Sequence, residues 1–443
     1  MTPAVRELGG VLEGARDAGA KASEVLVTTE QGLELTLAAG TTHPTRRRWN
    51  TTVAVVRCWL DGGGAGEARG PLERAEALVA EAMAAAAKAP EDPHGGPVRR
   101  MDPPPRGLGV DDPRHEQITD AERTEVLTMA LRGALAAKAP VVAGPFVYRE
   151  ARGHRRFLNS HGVGMEIAHT RYDALGALTL RAPEGPIELT DHIAGRAFAS
   201  TACLPYGAQL AQRAQALAGE ATSVEGPVRV LFPPRPTGRL VAWLARMFSV
   251  HALAEGRNLV TRGADEPLFH RKLHLVDDGL APGGLHTRGF DDRGVTPVPL
   301  TLLREGVVAG RLLDPEAARA LDTRPTGHCW PEGLLPTNLQ LNSGARSMNA
   351  WLGEQDRPVF EVDDLPELDG AIDPETGEAT LRVHGQLRER HDVLGVGRFV
   401  TLRGNLVDVL RQVHGIASDT DRILHVDAPG LFLDGFVATP HGA

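Results

Sequence analysis

The chain has 443 residues, 42% hydrophobic and 24% charged, with a formal net charge of −9. That length allows two or three domains, each with its own core, and the negative balance argues against a general nucleic-acid binder, which needs a concentrated positive field. No run of about 18 apolar residues occurs, so no membrane-spanning helix is expected, and the three widely spaced cysteines, Cys58, Cys203 and Cys329, form neither a disulfide framework nor a CxxC metal knuckle.

The first twenty residues lack a continuous apolar core, so no signal peptide is expected, and the cysteine usage fits a reducing cytoplasm. Residues 4–18 read as a helix with Val5, Leu8, Val11, Leu12 and Ala15 on one face. Residues 24–29 and 32–38 read as two strands joined by a tight turn at Glu30-Gln31-Gly32. A third strand, 52–60, ends in Asp61-Gly62-Gly63-Gly64, a plain turn because no GK[ST] follows. Pro71 suits the first position of an Ala-rich helix to Lys88. Residues 89–113, rich in Pro and Gly, form a connector, either an extended crossing or a mobile loop. Thr119 and Glu122 make a capping box for the next helix. Strands are expected at 141–150, 155–159 and 165–180, with a hairpin turn at Asn159-Ser160-His161-Gly162. A helix over 205–219 leads to a domain boundary near residue 222. The basic runs Arg46-Arg47-Arg48, Arg99-Arg100 and Arg155-Arg156 read as solvated loop charge.

The second half opens with an apolar strand, Val228 to Phe232, a Pro-rich turn, and a helix from about Gly238. Leu240, Val241, Leu244, Met247, Phe248 and His251 give that helix one apolar face. A zinc peptidase would carry two His four residues apart on such a helix, with a Glu as general base. This one offers Trp243, Leu244, Arg246 and Met247 instead. Beyond it come a strand at 273–276, a hairpin of 298–304 with 307–313, and a short helix at 315–321. Strands at 339–341, 359–362, 380–385 and 399–402, a helix at 405–413 and a closing strand at 431–437 complete the chain. The fold class is α+β, with an N-terminal domain over 1–221, including the connector 89–113, and a strand-rich C-terminal domain over 222–443.

Other groupings carry little chemistry. His270 and His274 are four apart with Asp277 and Asp278 close behind, but no third ligand is in place. His115-Glu116 begins an HExx whose later positions are Thr119 and Asp120. His328 and Cys329 are adjacent, and neighbours in sequence rarely face one another. His251 and Glu255 form a local helix pair. His161, His384, His391 and His414 are scattered, and no GxSxG elbow is present.

VDDGLAPGGLHTRGFDDRGV, residues 276–295, resembles the VDDP…GG…FDDEG signature of the TldD/PmbA proteins, the modulator-of-DNA-gyrase family. The hairpin 301–314, Arg324 to His328, Pro336-Thr337-Asn338-Leu339, Asp373 to Gly377 and Leu402 to Leu406 resemble further blocks in order. The resemblance implies a two-domain α+β protein and a dimer. One kind of subunit, TldD, carries HExxxH on the helix after the Val228-like strand and a Cys near the C-terminus, and holds the catalytic metal. The other, PmbA or TldE, lacks them and pairs with a TldD subunit. The pair cleaves unfolded or short peptides, including leader peptides of modified peptides. Residues 237–248 hold no His and no acid, and 426–430 no Cys, so the chain is similar to the PmbA/TldE kind. Under that reading it has no catalytic, cofactor or metal residue of its own, and zinc belongs to a TldD-like HExxxH partner. A non-enzymatic peptide-binding or scaffold protein, and a stand-alone metallopeptidase with an unrecognised metal site, are the alternatives.

Overall fold

The computed structural model describes residues 3–61, 64–202, 205–254, 258–260 and 266–440. Seven antiparallel strands form the N-terminal sheet: β1 (Ala22–Leu37), β2 (Thr45–Trp59), β3 (Ala65–Pro71), β4 (Val141–Ala143), β5 (Phe146–Asn159), β6 (Gly164–Ala182) and β7 (Gly185–Gly195). The order is β3-β2-β1-β5-β6-β7, with β4 continuing the β5 edge of β6. Side chains alternate across a strand, so one set of β1 residues faces the covering helices. Val25 and Val27 pack with Leu78 and Ala82 of helix Ala75–Ala86, while Leu33, Leu35 and Leu37 pack with Leu127 and Leu131 of helix Asp120–Leu135 and Leu210 of helix Tyr206–Leu217. Helix Asp120–Leu135 begins with the expected Thr119–Glu122 capping box.

In the second half, β8 (Gly226–Phe232) leads into helix Pro234–Ala245. The remaining strands are β9 (Leu275–Asp277), β10 (Leu300–Arg304), β11 (Val307–Val308), β12 (Cys329–Trp330), β13 (Gly333–Leu334), β14 (Leu339–Leu341), β15 (Val359–Val362), β16 (Glu378–Glu389), β17 (Asp392–Asn405), β18 (Val413–Ile423) and β19 (Val426–Thr439). The pairings β8–β15, β15–β16, β16–β17, β17–β19 and β19–β8 close a ring of five strands. Closure pairs both edges of its central strands. Val230, Phe232, Phe360, Leu402, Leu433 and Phe436 are buried in this half's core, and helix Pro234–Ala245 packs on it through Leu240, Val241 and Leu244.

The FDDRG block joins the two halves. Phe290 inserts among Leu26, Val55, Phe157 and Met165 on the sheet face opposite the helices. Asp291 ties its own loop, accepting from the backbone of Arg293, Val295 and Cys329 at 2.8, 2.9 and 3.0 Å. Arg293 donates to Glu24 of β1 at 2.7 Å and to Glu316 at 2.8 Å. Burial pushes the Glu24 carboxyl up, against the opposing pull of Arg293 and Arg57. Gly294 has φ +70°, and a Cβ there would meet Phe157 at 2.2 Å.

Several local expectations are corrected. The strands foreseen at 24–29 and 32–38 are one 16-residue strand with no turn at Glu30-Gln31-Gly32. Gly32 instead lies under the indole of Trp49, whose Cζ2 would stand 2.0 Å from an added Cβ. The first helix is two, Pro3–Arg6 and Gly9–Asp17. Residues 146–159 are one strand. The helix through His251 breaks at Ser249, which bridges to Leu312, and resumes over Val250–Ala254. Arg46-Arg47-Arg48 and Arg155-Arg156 lie in β2 and β5, not in loops. Five strands are absent from the sequence expectations: β3 is built of Ala and Gly because helix Ala75–Ala86 presses onto it, β7 places Asp191 among its inward residues, half of β18 is exposed, and β12 and β13 are two residues each. The connector is an extended crossing that buries Val98, Leu108 and Val110. Asn159 Nδ2 donates to the Val98 carbonyl at 2.8 Å, and Gly283 N to that of Leu108 at 2.8 Å. Gly62, Gly63, Cys203 and Glu255 lie outside the described residues.

Candidate functional site

Two cavities of about 530 and 510 Å³ share His286, Glu332, Leu335 and Pro336, and together make one groove between the halves. One end is floored by the open face of the N-terminal sheet, with Leu26, Thr28 and Glu30 of β1, Val53 and Val55 of β2 and Arg155 of β5. The other end is walled by helix Pro234–Ala245. Pro at the first turn fits this helix, since its missing N–H leaves no hydrogen bond unmade there.

The helix shows its two faces clearly. Leu240, Val241, Leu244 and Ala245 enter the core. Arg235, Gly238, Arg239, Ala242, Trp243 and Arg246, three and four residues apart, line the groove. Arg235 donates to Asp191 at 2.7 Å, Arg239 to Asp364 at 2.6 Å and Arg246 to Asp369 at 3.1 Å. Gly238 lets the helix close onto β18, where an added Cβ would come 3.0 Å from that of Ile423. A metal pair of the kind discussed above, i and i+4 in HExxH or i and i+5 in HExxxH, would be presented from this helix, and its groove-lining positions hold guanidinium, indole, methyl and hydrogen. The residues present do not fit a zinc ion.

Three imidazoles line the same groove: His192, His286 and His425. His286 is fixed by the Pro336-Thr337-Asn338 block, its backbone N–H donating to Asn338 Oδ1 at 2.9 Å, while Asn338 Nδ2 reaches the Asp278 carbonyl and Thr287 Oγ1. His425 sits between β18 and β19. The two rings stack with centroids 4.0 Å apart and planes 15° apart, and Trp330 lies 5.2 Å from His286. Nitrogen lone pairs lie in the ring plane, so parallel stacked rings do not converge on one ion. Burial holds the His286 imidazole down to about 2, helped by His425 and nearby arginines, and burial also holds His425 down to about 4. Both rings are therefore neutral near pH 7. His192 is bound to Asp173 at 2.8 Å. Among the described residues, no group of three or more His, Cys, Asp or Glu could hold a metal.

The residues weighed from sequence have other partners. His270 accepts from the Lys272 backbone within a turn, and the His274 backbone donates to Asn342. Asp277 accepts from Thr337 N at 2.9 Å and from its hydroxyl, and Asp278 accepts from Leu280 N. His115 contacts the Tyr172 hydroxyl at 3.0 Å, and Glu116 pairs with Arg152. His328 faces away from the adjacent thiol, with Nδ1 2.9 Å from Thr326 Oγ1 and Nε2 3.3 Å from Asp277. Burial pushes the Cys329 thiol well up, so it is no thiolate. His251 pairs with Asp314 at 2.7 Å, while its expected partner Glu255 is outside the described residues. His192, His286, His425, Arg155 and Trp330 were not singled out as candidates. No spacing rule joins them, although His286 lies inside the 276–295 block.

Residues 225–439 match the sequence model of the PmbA/TldA metallopeptidase C-terminal domain. A metalloprotease of Synechocystis sp. is 31% identical over 161 residues, 33% of this chain and 32% of that protein, so the match spans about a third of the relative's length. The fold is shared along the whole chain with a candidate modulator of DNA gyrase from Thermotoga maritima, at TM-score 0.86 and 21% identity over 98% of this chain and 100% of that one. TldE from Thermococcus kodakarensis superposes at TM-score 0.81 and 17% identity, covering 98% and 99%. A second candidate gyrase modulator, from Bacteroides thetaiotaomicron, gives 0.87 and 15%, covering 99% of each chain. At these identities the structural likeness is one of fold. No helix is long and apolar enough to cross a membrane among the described residues.

Proposed function

We propose, from the premise that residues 225–439 belong to the PmbA/TldD metallopeptidase family, that this chain is the metal-free, TldE-like subunit of a two-chain peptidase. It pairs with a TldD-like HExxxH subunit that carries the zinc, and the complex cleaves unfolded or short peptides, with leader peptides one natural class, in the cytoplasm. The observation that carries the reading is the groove wall. The helix face at which metal ligands would be presented bears Arg235, Arg239, Ala242, Trp243 and Arg246, while the groove around it is fully built. A zinc peptidase needs a metal-bound water of lowered pKa and a base, and this helix face supplies neither.

The groove suits an extended peptide. β3 pairs only with residues 53–59 of β2, so among the described residues the outer edge of residues 45–52 has no strand beside it, and Thr51 of that stretch lines the groove. Strand addition reads backbone, not side chains, which matches cleavage of unfolded segments of many sequences. The test mixes this chain with the HExxxH paralogue of its own host and an unfolded peptide. Cleavage is expected to need both chains, to stop with a chelator, and to survive Ala substitution of His270 and His274. Cleavage by this chain alone, or full activity of the paralogue without it, refutes the proposal.

A further inference from the structure

Arginines gather beside His286 and Trp330, which line the groove, and the carboxylates near them are already committed. Arg196, just past the end of β7, donates Nη1 to the Thr170 carbonyl at 3.0 Å and Nη2 to the Thr287 carbonyl at 3.1 Å, and its buried Nε has no partner. That second bond sets its guanidinium beside His286 and Arg288. Arg288, 4% exposed, lies 3.6 Å over the Trp330 ring and donates Nη2 to the Cys329 carbonyl at 2.9 Å. Its Nε and Nη1 make no hydrogen bond. Asp292 Oδ1 stands 3.6 Å from Arg288 Nη1 and already accepts from Arg155 Nη2 at 2.6 Å. Arg155 lines the groove and has an unpartnered Nε, and His286 an unpartnered Nδ1. Of the other nearby carboxylates, Asp291 accepts from the backbone of Arg293, Val295 and Cys329, and Asp173 is held by Arg171 at 2.7 Å and His192 at 2.8 Å.

Arg155 and Arg288 thus share Asp292, Arg196 forms no ion pair among the described residues, and the unpartnered guanidinium nitrogens are donors. A buried charge without a counter-ion is costly, and a fold retains one where a ligand supplies the missing anion. Burial, with neighbouring arginines, holds Arg196 and Arg288 down to about 10, so both are still charged at neutral pH and repel one another's neighbourhood. A planar carboxylate matches the guanidinium fork. We propose that Arg155 and His286, which line the groove, with Arg196 and Arg288 beside them, form a carboxylate subsite that receives the C-terminal carboxylate or an acidic side chain of a peptide lying in the groove. This rests on the peptide-groove reading above and adds a substrate preference to it.

Calorimetric titration of the full-length chain tests it with three N-acetylated octapeptides of Ala, Ser and Leu: the free acid, its C-terminal amide, and the amide with one central Asp. The free acid, the Asp peptide or both are expected to bind about tenfold or more tightly than the neutral amide, as hydrogen bonds to a charged group allow. Which of the two is preferred identifies the source of the carboxylate. The preference is expected to fall to about one in Arg196→Gln and in Arg155→Gln, each checked for an intact thermal transition; two variants guard against one failing to fold. Equal affinity for all three peptides overturns the subsite and leaves the groove reading standing. No binding of any peptide overturns both. A preference that persists in both variants overturns the assignment to these arginines.

Discussion

The stacked imidazoles at the centre of the groove make the sharpest physical prediction. His425 is held neutral by burial, down to about 4 from an ordinary 6.5. A folded-state value below the unfolded one means that the unfolded chain binds more protons between those values. Stability therefore rises with pH across that window and is lost as pH falls from about 6.5 towards 4. The full shift corresponds to roughly 3 kcal/mol at 1.36 kcal/mol per pH unit, and about 2 kcal/mol of it is expressed between pH 7 and 5. The burial of His286 acts in the same direction, and each ring sits on the other's face. Deuterium exchange at the imidazole C2 position, read residue by residue in a mass spectrometer, follows the titration directly. The His425 midpoint is expected near 4. Urea unfolding should then show His425→Gln losing about 2 kcal/mol less than the parent chain on going from pH 7 to 5. A His425 midpoint near 6.5, or identical pH slopes in the two proteins, would refute the neutral buried stack.

Protein purified without chelator should contain no stoichiometric transition metal by elemental analysis; about one zinc per chain, the count of a catalytic site, would defeat that and bring His270 and His274 forward. Gly32→Ala should lower stability by roughly 1–3 kcal/mol, the usual cost of overpacking, because the new Cβ would enter the Trp49 ring; an unchanged melting temperature would show that the indole does not cover Gly32. Cys329, 8% exposed with its thiol pushed well up by burial, should resist iodoacetamide in the native state and react on unfolding; rapid native labelling would contradict the packing at β12.

Much of the chain is legible one segment at a time. The capping box at Thr119, the apolar positions Leu240, Val241 and Leu244 of helix Pro234–Ala245 and the hairpin across Glu305-Gly306 follow from local periodicity and turn chemistry, and the structure has them all, although the apolar face expected to run on to His251 does not continue as one helix. The absence of ligands from residues 237–248 is likewise a property of the sequence alone. Errors arose where a local signal had a tertiary cause. Gly32 read as a turn, but its missing side chain makes room for Trp49 on the neighbouring strand. Arg155 read as solvated charge, but it pairs with Asp292, 137 residues away. The groove itself was invisible for the same reason. His286 and His425 are 139 residues apart, and only the docking of Phe290 onto the first sheet, with the closing of β19 against β8, brings the groove's walls together. Periodicity records which face of an element is buried, because burial repeats with the backbone's own geometry. Which distant face it is buried against depends on how whole sheets pack, and no local pattern encodes that.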